Sequence, residues 1–144
     1  MIGSAHHIGI AVRSMDAALA RYRSFGLEPE SIEEVPAQGV RVAFLPAGAV
    51  RLELLESLTR DGVIARFVDR RGEGLHHLAF EVTDVRSEMD RLRGEGFELV
   101  DPEPRPGARG RLVAFVHPKH AHGVLIELVQ DSPEFRWHPG SQRH

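Results

Sequence analysis

The sequence predicts an α+β fold of two tandem βαβββ modules whose strands form one curved sheet. Three observations lead to this prediction. A segment near the start of the chain recurs about 70 residues later. Both copies pass from strand-like alternation to a helical period and then to three short apolar runs. Each copy also carries one histidine and one glutamate at matched positions. A duplicated fold with a shared site follows from these features.

The repeat is clearest where the stretch 7–28 is laid on 77–98 without a gap. Six pairs are identical, whereas average residue usage gives about one or two by chance. The pairs are His7/His77, Val12/Val82, Arg21/Arg91, Arg23/Arg93, Gly26/Gly96 and Glu28/Glu98. The match continues, with small insertions, to Phe44/Phe115 and to Glu53/Glu127. We interpret the chain as the product of a duplication.

The first module begins with a strand, His7–Val12, whose apolar residues alternate with small or polar ones. A helix over Ser14–Ser24 follows, with Ser14 as its N-cap and Gly26 at its end. Three short strands complete the module, at Pro29–Val35, Val40–Pro46 and Val50–Glu56.

The second module repeats this order. The strand His77–Val82 precedes a helix capped by Asp84 and closed by Gly96. The predicted strands are Glu98–Asp101, Leu112–His117 and Gly123–Val129. We expect a single domain over 1–131, with module one at 5–57, a linker helix at 62–71, module two at 74–130 and a flexible tail at 132–144.

Composition narrows the function classes. The chain has 144 residues, a net charge of −3, an apolar fraction of 42% and no cysteine. Nucleic acid and anionic membranes are not expected partners, because the chain has no large basic excess. Without thiolates, any metal ligand is a nitrogen or oxygen atom. No signal peptide is recognised at the start, and the expected location is the cytoplasm.

The matched residues are candidate metal ligands. His7 and His77 alternate with the apolar residues of their strands, and Glu53 and Glu127 do the same in theirs. A glutamate turned inward from an apolar strand is costly unless it is paired or bound to metal. Two imidazoles and two carboxylates suit Zn²⁺, Co²⁺, Ni²⁺ or Mn²⁺ and leave two positions of a six-coordinate ion for substrate. The alternative is two metal-free His–Glu hydrogen-bonded pairs.

These residues resemble the vicinal oxygen chelate (glyoxalase/bleomycin resistance) superfamily and, within it, the methylmalonyl-CoA epimerases. The resemblance covers about residues 5–130. Its motifs are HIGIAV from His7, LELLE from Leu52, GEGLHHLAF from Gly72 and FVHPK from Phe115, followed by GVLIEL from Gly123. The last two are the most specific to the epimerases.

The resemblance implies a divalent-metal enzyme, Co²⁺ first, that takes an acyl-CoA substrate and forms a homodimer. It implies His7, Glu53, His77 and Glu127 as ligands. A metal-stabilised enolate of methylmalonyl-CoA, or of a related 2-substituted malonyl-CoA, is reprotonated on its opposite face, with Glu127 as one catalytic base. Some relatives carry another base where this chain has Val42.

Several assignments remain open from the sequence. Candidates for the second acid or base are His120, His122 and Glu56, and candidates for contact with CoA phosphates are Lys119 and Arg111. The alternative activity is that of a glyoxalase I-type lactoylglutathione lyase, which the His–Glu–His–Glu set suits equally well. A non-catalytic module that binds a small molecule is a third interpretation.

Overall fold

The structure is a computed structural model that describes residues 1–135. Eight strands and three helices occur in the described residues. The strands are β1 (Ala5–Ala11), β2 (Ser31–Val35), β3 (Val40–Ala47), β4 (Val50–Ser57), β5 (Gly74–Glu81), β6 (Arg105–Pro106), β7 (Leu112–Val116) and β8 (Ile126–Gln130). The helices are α1 (Met15–Ser24), α2 (Val63–Arg71) and α3 (Val85–Gly94). The predicted βαβββ order is present twice, and α2 occupies the position of the predicted linker helix.

The chain forms two compact units. The first unit is His7–His76, and the second unit joins Met1–His6 to the residues from His77 onward. The first unit thus contains the predicted first module from His7 onward, the linker helix and residues 74–76, and the N-terminal residues belong to the second unit. There the backbone groups of Gly3 and Ser4 hydrogen-bond to Glu81 at the end of β5.

The first unit has the strand order β2-β3-β4-β1, with β1 parallel to β4 and the other pairs antiparallel. Its helix α1 begins where the Ser14 side chain accepts a hydrogen bond from the Ala17 N–H. It ends before Gly26, which has a φ of 89°. The core between α1 and the sheet contains Val12, Met15, Leu19, Ala43, Leu45 and Leu54. This burial assigns one face of each strand to the helix side.

The second unit repeats the arrangement with the order β5-β8-β7-β6, and β5 is parallel to β8. Asp84 caps α3 through the Ser87 N–H, and Gly96 closes it with a φ of 90°. The core of this unit contains Val82, Val85, Met89, Leu92, Ala114, Val116 and Leu128. Both predicted caps and both predicted terminal glycines are confirmed.

One predicted strand is wrong. The stretch Glu98–Asp101 pairs with β7 through a single bridge, Leu99 to Val116, and the edge strand of this unit is β6 instead. The reason is that the Phe115 N–H donates to the Asp101 carboxylate rather than to a backbone carbonyl. The ladder is thereby interrupted, and the prolines that follow have no N–H to extend it.

Two further findings concern the ends of elements. The predicted strand Gly123–Val129 starts only at Ile126, because the preceding residues form a turn in which His122 has a φ of 54°. In the predicted tail, Pro133–Phe135 forms a 3₁₀ turn. Residues 136–144 lie outside the described residues. Within residues 1–135, no helix is long and apolar enough to span a bilayer.

Candidate active site

The first unit buries a histidine–glutamate pair on the sheet face opposite α1. Gly9 of β1 lies beside Glu53 of β4, so His7, two residues earlier, shares the face of Glu53. The His7 Nδ1 and Glu53 Oε2 atoms are 3.2 Å apart. The two residues are only 2% and 1% exposed. The alternation seen in the sequence therefore turns both polar side chains away from the helix.

The second unit contains the equivalent pair. Ala79 of β5 lies beside Glu127 of β8, which places His77 on the same face as Glu127. The distance from His77 Nε2 to Glu127 Oε1 is 3.0 Å, and the residues are 7% and 3% exposed. The duplication thus preserves a contact between side chains as well as an order of elements.

The chemistry of these pairs fits a divalent cation. Groups of buried histidine and acidic side chains that could hold an ion occur among the described residues. Two ligand atoms bound at right angles to one ion, each at about 2.1 Å, lie about 3 Å apart. The observed spacings of 3.2 Å and 3.0 Å match this value. A simple imidazole–carboxylate hydrogen bond has the same spacing, so the spacing fits both metal and metal-free pairs.

An aromatic ring lies beside the glutamate in each unit. Phe44 of β3 is paired in register with Glu53, and Phe115 of β7 is paired with Glu127. The Phe115 ring meets the His77 ring edge to face, with centroids 5.7 Å apart. Apolar neighbours exclude water and strengthen electrostatic interactions at the buried carboxylates.

Glu56, suggested above as an acid or base, has a structural role. Its carboxylate accepts hydrogen bonds from the Met15 N–H at the start of α1, at 3.0 Å, and from Arg41, at 2.8 Å. It lies on the helix side of β4, because it alternates with Leu55 and follows buried Leu54 by two residues. We therefore withdraw Glu56 as a candidate base.

The other candidate acids and bases lie in a turn. His120 belongs to the 3₁₀ turn Pro118–Ala121, and its ring lies 5.6 Å from that of Phe97. His122 ends the turn in the left-handed region. Val42 is 2% exposed and shares the face of Leu55, and hence of Glu53. The second acid or base is therefore not identified by these residues.

Lys119 and Arg111, the candidates for CoA phosphate contacts, lie in different surroundings. The Lys119 ammonium lies 2.6 Å from the Glu98 carboxylate, and this hydrogen bond and charge lower the pKa of Glu98. The Lys119 N–H donates to His117 Nδ1, so the HPK motif forms a compact turn. Arg111 is only 4% exposed.

Sequence reasoning missed two buried polar features. His6 Nε2 lies 3.0 Å and 2.9 Å from the two carboxylate oxygens of Asp131, and both residues belong to the second unit. Arg51 of β4 is 5% exposed and shares the face of Glu53. Alternation along β4 could have assigned the face of Arg51. The contact between His6 and Asp131 had no local signal, because the residues are 125 positions apart.

Comparison with known proteins agrees with this architecture. Residues 6–115 match the family model described as the Glyoxalase/Bleomycin resistance protein/Dioxygenase superfamily. An ethylmalonyl-CoA/methylmalonyl-CoA epimerase of Cereibacter sphaeroides is 38% identical over 133 residues, which cover 90% of this chain and 99% of that protein.

Solved structures give the same result. A single-residue variant of the Streptomyces coelicolor methylmalonyl-CoA epimerase, in complex with 2-nitronate-propionyl-CoA, superposes with a TM-score of 0.87 at 36% identity, covering 92% of this chain and 99% of that one. The methylmalonyl-CoA epimerase of Mycobacterium tuberculosis gives 0.86 at 38% identity, covering 92% and 91%. This chain belongs to the glyoxalase/bleomycin resistance/dioxygenase superfamily, whose fold is that of the vicinal oxygen chelate proteins.

Proposed function

We propose that this chain is an epimerase of methylmalonyl-CoA or of a closely related 2-substituted malonyl-CoA. The observation that carries the proposal is the 38% identity to an ethylmalonyl-CoA/methylmalonyl-CoA epimerase along 99% of that enzyme's length. The duplicated, buried His–Glu pairs support it, because they supply the ligand chemistry that such a reaction uses.

In this proposal His7, Glu53, His77 and Glu127 bind one divalent ion. The repeat supports this set, since each copy contributes the same two ligand types from the same two strands. Nitrogen and carboxylate donors favour Co²⁺, Zn²⁺, Ni²⁺ or Mn²⁺, and we propose Co²⁺ first. The ion, when bound, polarises the substrate's carbonyl oxygen and disperses the negative charge that develops on deprotonation.

The residues of the chain then have separate tasks. The α-hydrogen of a malonyl thioester lies between two carbonyl groups, so a carboxylate can remove it once the developing charge is stabilised. We assign one of the two proton transfers to Glu127. Phe115, which is paired with Glu127 in register and packs on His77, limits water access on that side. Inversion also needs a proton donor on the opposite face of the planar intermediate.

The test is solvent exchange and epimerisation by the purified chain in D₂O. With Co²⁺ present, we expect deuterium to enter C2 of methylmalonyl-CoA and the two epimers to equilibrate. Glu127→Gln should lose most of this activity. Faster turnover of the methylglyoxal–glutathione hemithioacetal than of methylmalonyl-CoA would instead identify a glyoxalase I-type lyase. The absence of both activities would favour a binding module.

The state of assembly is part of the same proposal. We expect a homodimer, as in the resemblance described above, and light scattering of the purified chain measures it directly.

A further inference from the structure

We propose that Glu33 is the second proton-transferring residue of the reaction, working with Glu127. The inference rests on the proposed epimerase function and deepens it. It starts from the strand register of the first unit, which assigns every side chain of β1 to β4 to one of two faces.

The face that carries His7 and Glu53 can be followed across the sheet. Phe44 of β3 lies beside Glu53 of β4, and Val42 lies beside Leu55. In turn, Glu33 of β2 lies directly opposite Val42. Residues paired across strands point to the same face, so Glu33 shares the face of Glu53.

On this face, β1 to β4 contain few groups that can exchange a proton. The register assigns His7, Arg51, Glu53 and Glu33 to this face. A ring nitrogen of His6 also lies within 4.8 Å of His7 and Glu53, and His6 is paired with Asp131. His7 and Glu53 are assigned to the ion, and an arginine keeps its proton at all ordinary pH values. Of the carboxylates on this face of the four strands, Glu33 is thus the one to which no metal-binding role is assigned.

The distance between β2 and β4 is suitable for proton transfer by Glu33. Adjacent strands are about 4.8 Å apart, so β2 and β4 are about 10 Å apart with β3 between them. The β3 residue opposite Glu33 is Val42, which is short and uncharged. A substrate carbon held above β3 would thus lie between the strand of Glu53 and the strand of Glu33. The exposed face of β2 carries Glu34 instead, which is paired with Arg41 at 2.9 Å.

Glu33 and Glu34 are neighbours on β2 but differ in burial. Glu33 is partly buried although β2 is an edge strand, whereas Glu34 is exposed. Glu34 therefore provides a matched control on the same strand, with the same chemistry and the opposite face.

The experiment compares Glu33→Gln with Glu34→Gln in the Co²⁺-loaded chain. We expect Glu33→Gln to lower kcat for epimerisation by about 100-fold or more, the usual contribution of a general acid or base. In D₂O this variant should still exchange the α-hydrogen of one epimer without inverting it, because Glu127 remains. Glu34→Gln should epimerise at the wild-type rate.

A further readout separates proton transfer from other roles. The Co²⁺ affinity of Glu33→Gln should equal that of wild type, since Glu33 is not a proposed ligand. Epimerisation by Glu33→Gln at the wild-type rate would overturn the inference and leave the proposed function intact. A wild-type chain that neither exchanges nor epimerises methylmalonyl-CoA would overturn both. A loss of exchange in both epimers together with a loss of Co²⁺ affinity would also refute the role given to Glu33.

Discussion

Binding of a divalent ion should stabilise this chain, and the effect separates a metal site from two metal-free His–Glu pairs. An ion that binds only the folded chain stabilises it by RT ln(1 + [ion]/Kd), which is about 2.7 kcal/mol at 100 times Kd. For a chain of this size, such a gain raises the melting temperature by roughly 5–10 °C. We expect this increase when Co²⁺ is added to protein treated with a chelator.

Glu127→Gln is the informative variant. Its amide has nearly the size of the carboxylate and retains an oxygen beside His77 Nε2, which lies 3.0 Å from Glu127 Oε1, so the packing around the buried imidazole is kept. The melting temperature without metal should therefore change by only a few degrees. A larger decrease would be expected only if a buried polar group lost its partner, which costs about 1–3 kcal/mol. The increase caused by Co²⁺ should largely disappear, because the amide is a far weaker ligand than the carboxylate.

The assay is differential scanning calorimetry with and without Co²⁺, supported by titration calorimetry for Kd. Glu88→Gln serves as the control, because Glu88 is 4% exposed, also belongs to the second unit and lies on α3 rather than on a ligand strand. This variant should retain the full increase in melting temperature. A wild-type chain whose melting temperature does not respond to any of Co²⁺, Zn²⁺, Ni²⁺ or Mn²⁺ would refute the metal site and favour the metal-free pairs.

Three further predictions concern the second unit. Burial raises the pKa of Glu88, but hydrogen bonds and charges from Arg91 and the N-terminal ammonium together outweigh burial and lower the pKa. The stabilisation from these contacts is therefore complete above the pKa of the unfolded chain and is lost as the pH falls through the lower folded value. Acid denaturation should accordingly be shallower in Glu88→Gln. Asp131→Ala leaves His6 without the carboxylate that now lies 2.9 Å away, and urea unfolding should report a loss of about 1–3 kcal/mol, most of which Asp131→Asn should restore. Lys119→Gln should leave the KM for methylmalonyl-CoA within about twofold of wild type, because the ammonium is already paired with a glutamate; a KM that rises tenfold would identify this residue as a CoA contact.

The fold was largely predictable because its signals are local or repeated. Alternation in β1 and β5, the N-caps Ser14 and Asp84, and positive φ at Gly26 and Gly96 depend on neighbouring residues only. The duplication then gave each half the same predicted order of elements. The prediction for 98–101 was wrong because a side chain, that of Asp101, took the place of a backbone acceptor.

The candidate site was predictable in part. The matched offsets of Glu53 and Glu127 identified both glutamates, and the parallel pairings of β1 with β4 and of β5 with β8 bring each of them beside its histidine. The binding of all four residues to one ion remains a prediction. The contact of His6 with Asp131 was missed, and so was the use of Glu56 as a partner of α1.

The sequence by itself determined which residues alternate, where the helices begin and end, and which histidines and glutamates are equivalent. These properties follow from the preferences of single residues and from the repeat, so no knowledge of distant contacts was needed. The tertiary structure alone decided which carboxylates share the sheet face of the proposed metal ligands and which bind other elements of the fold. That choice depends on strand register, and a shift of one residue turns a side chain to the opposite face. Glu33 and Glu34 are neighbours in the chain, yet register gives the first to the face of Glu53 and the second to the side of Arg41.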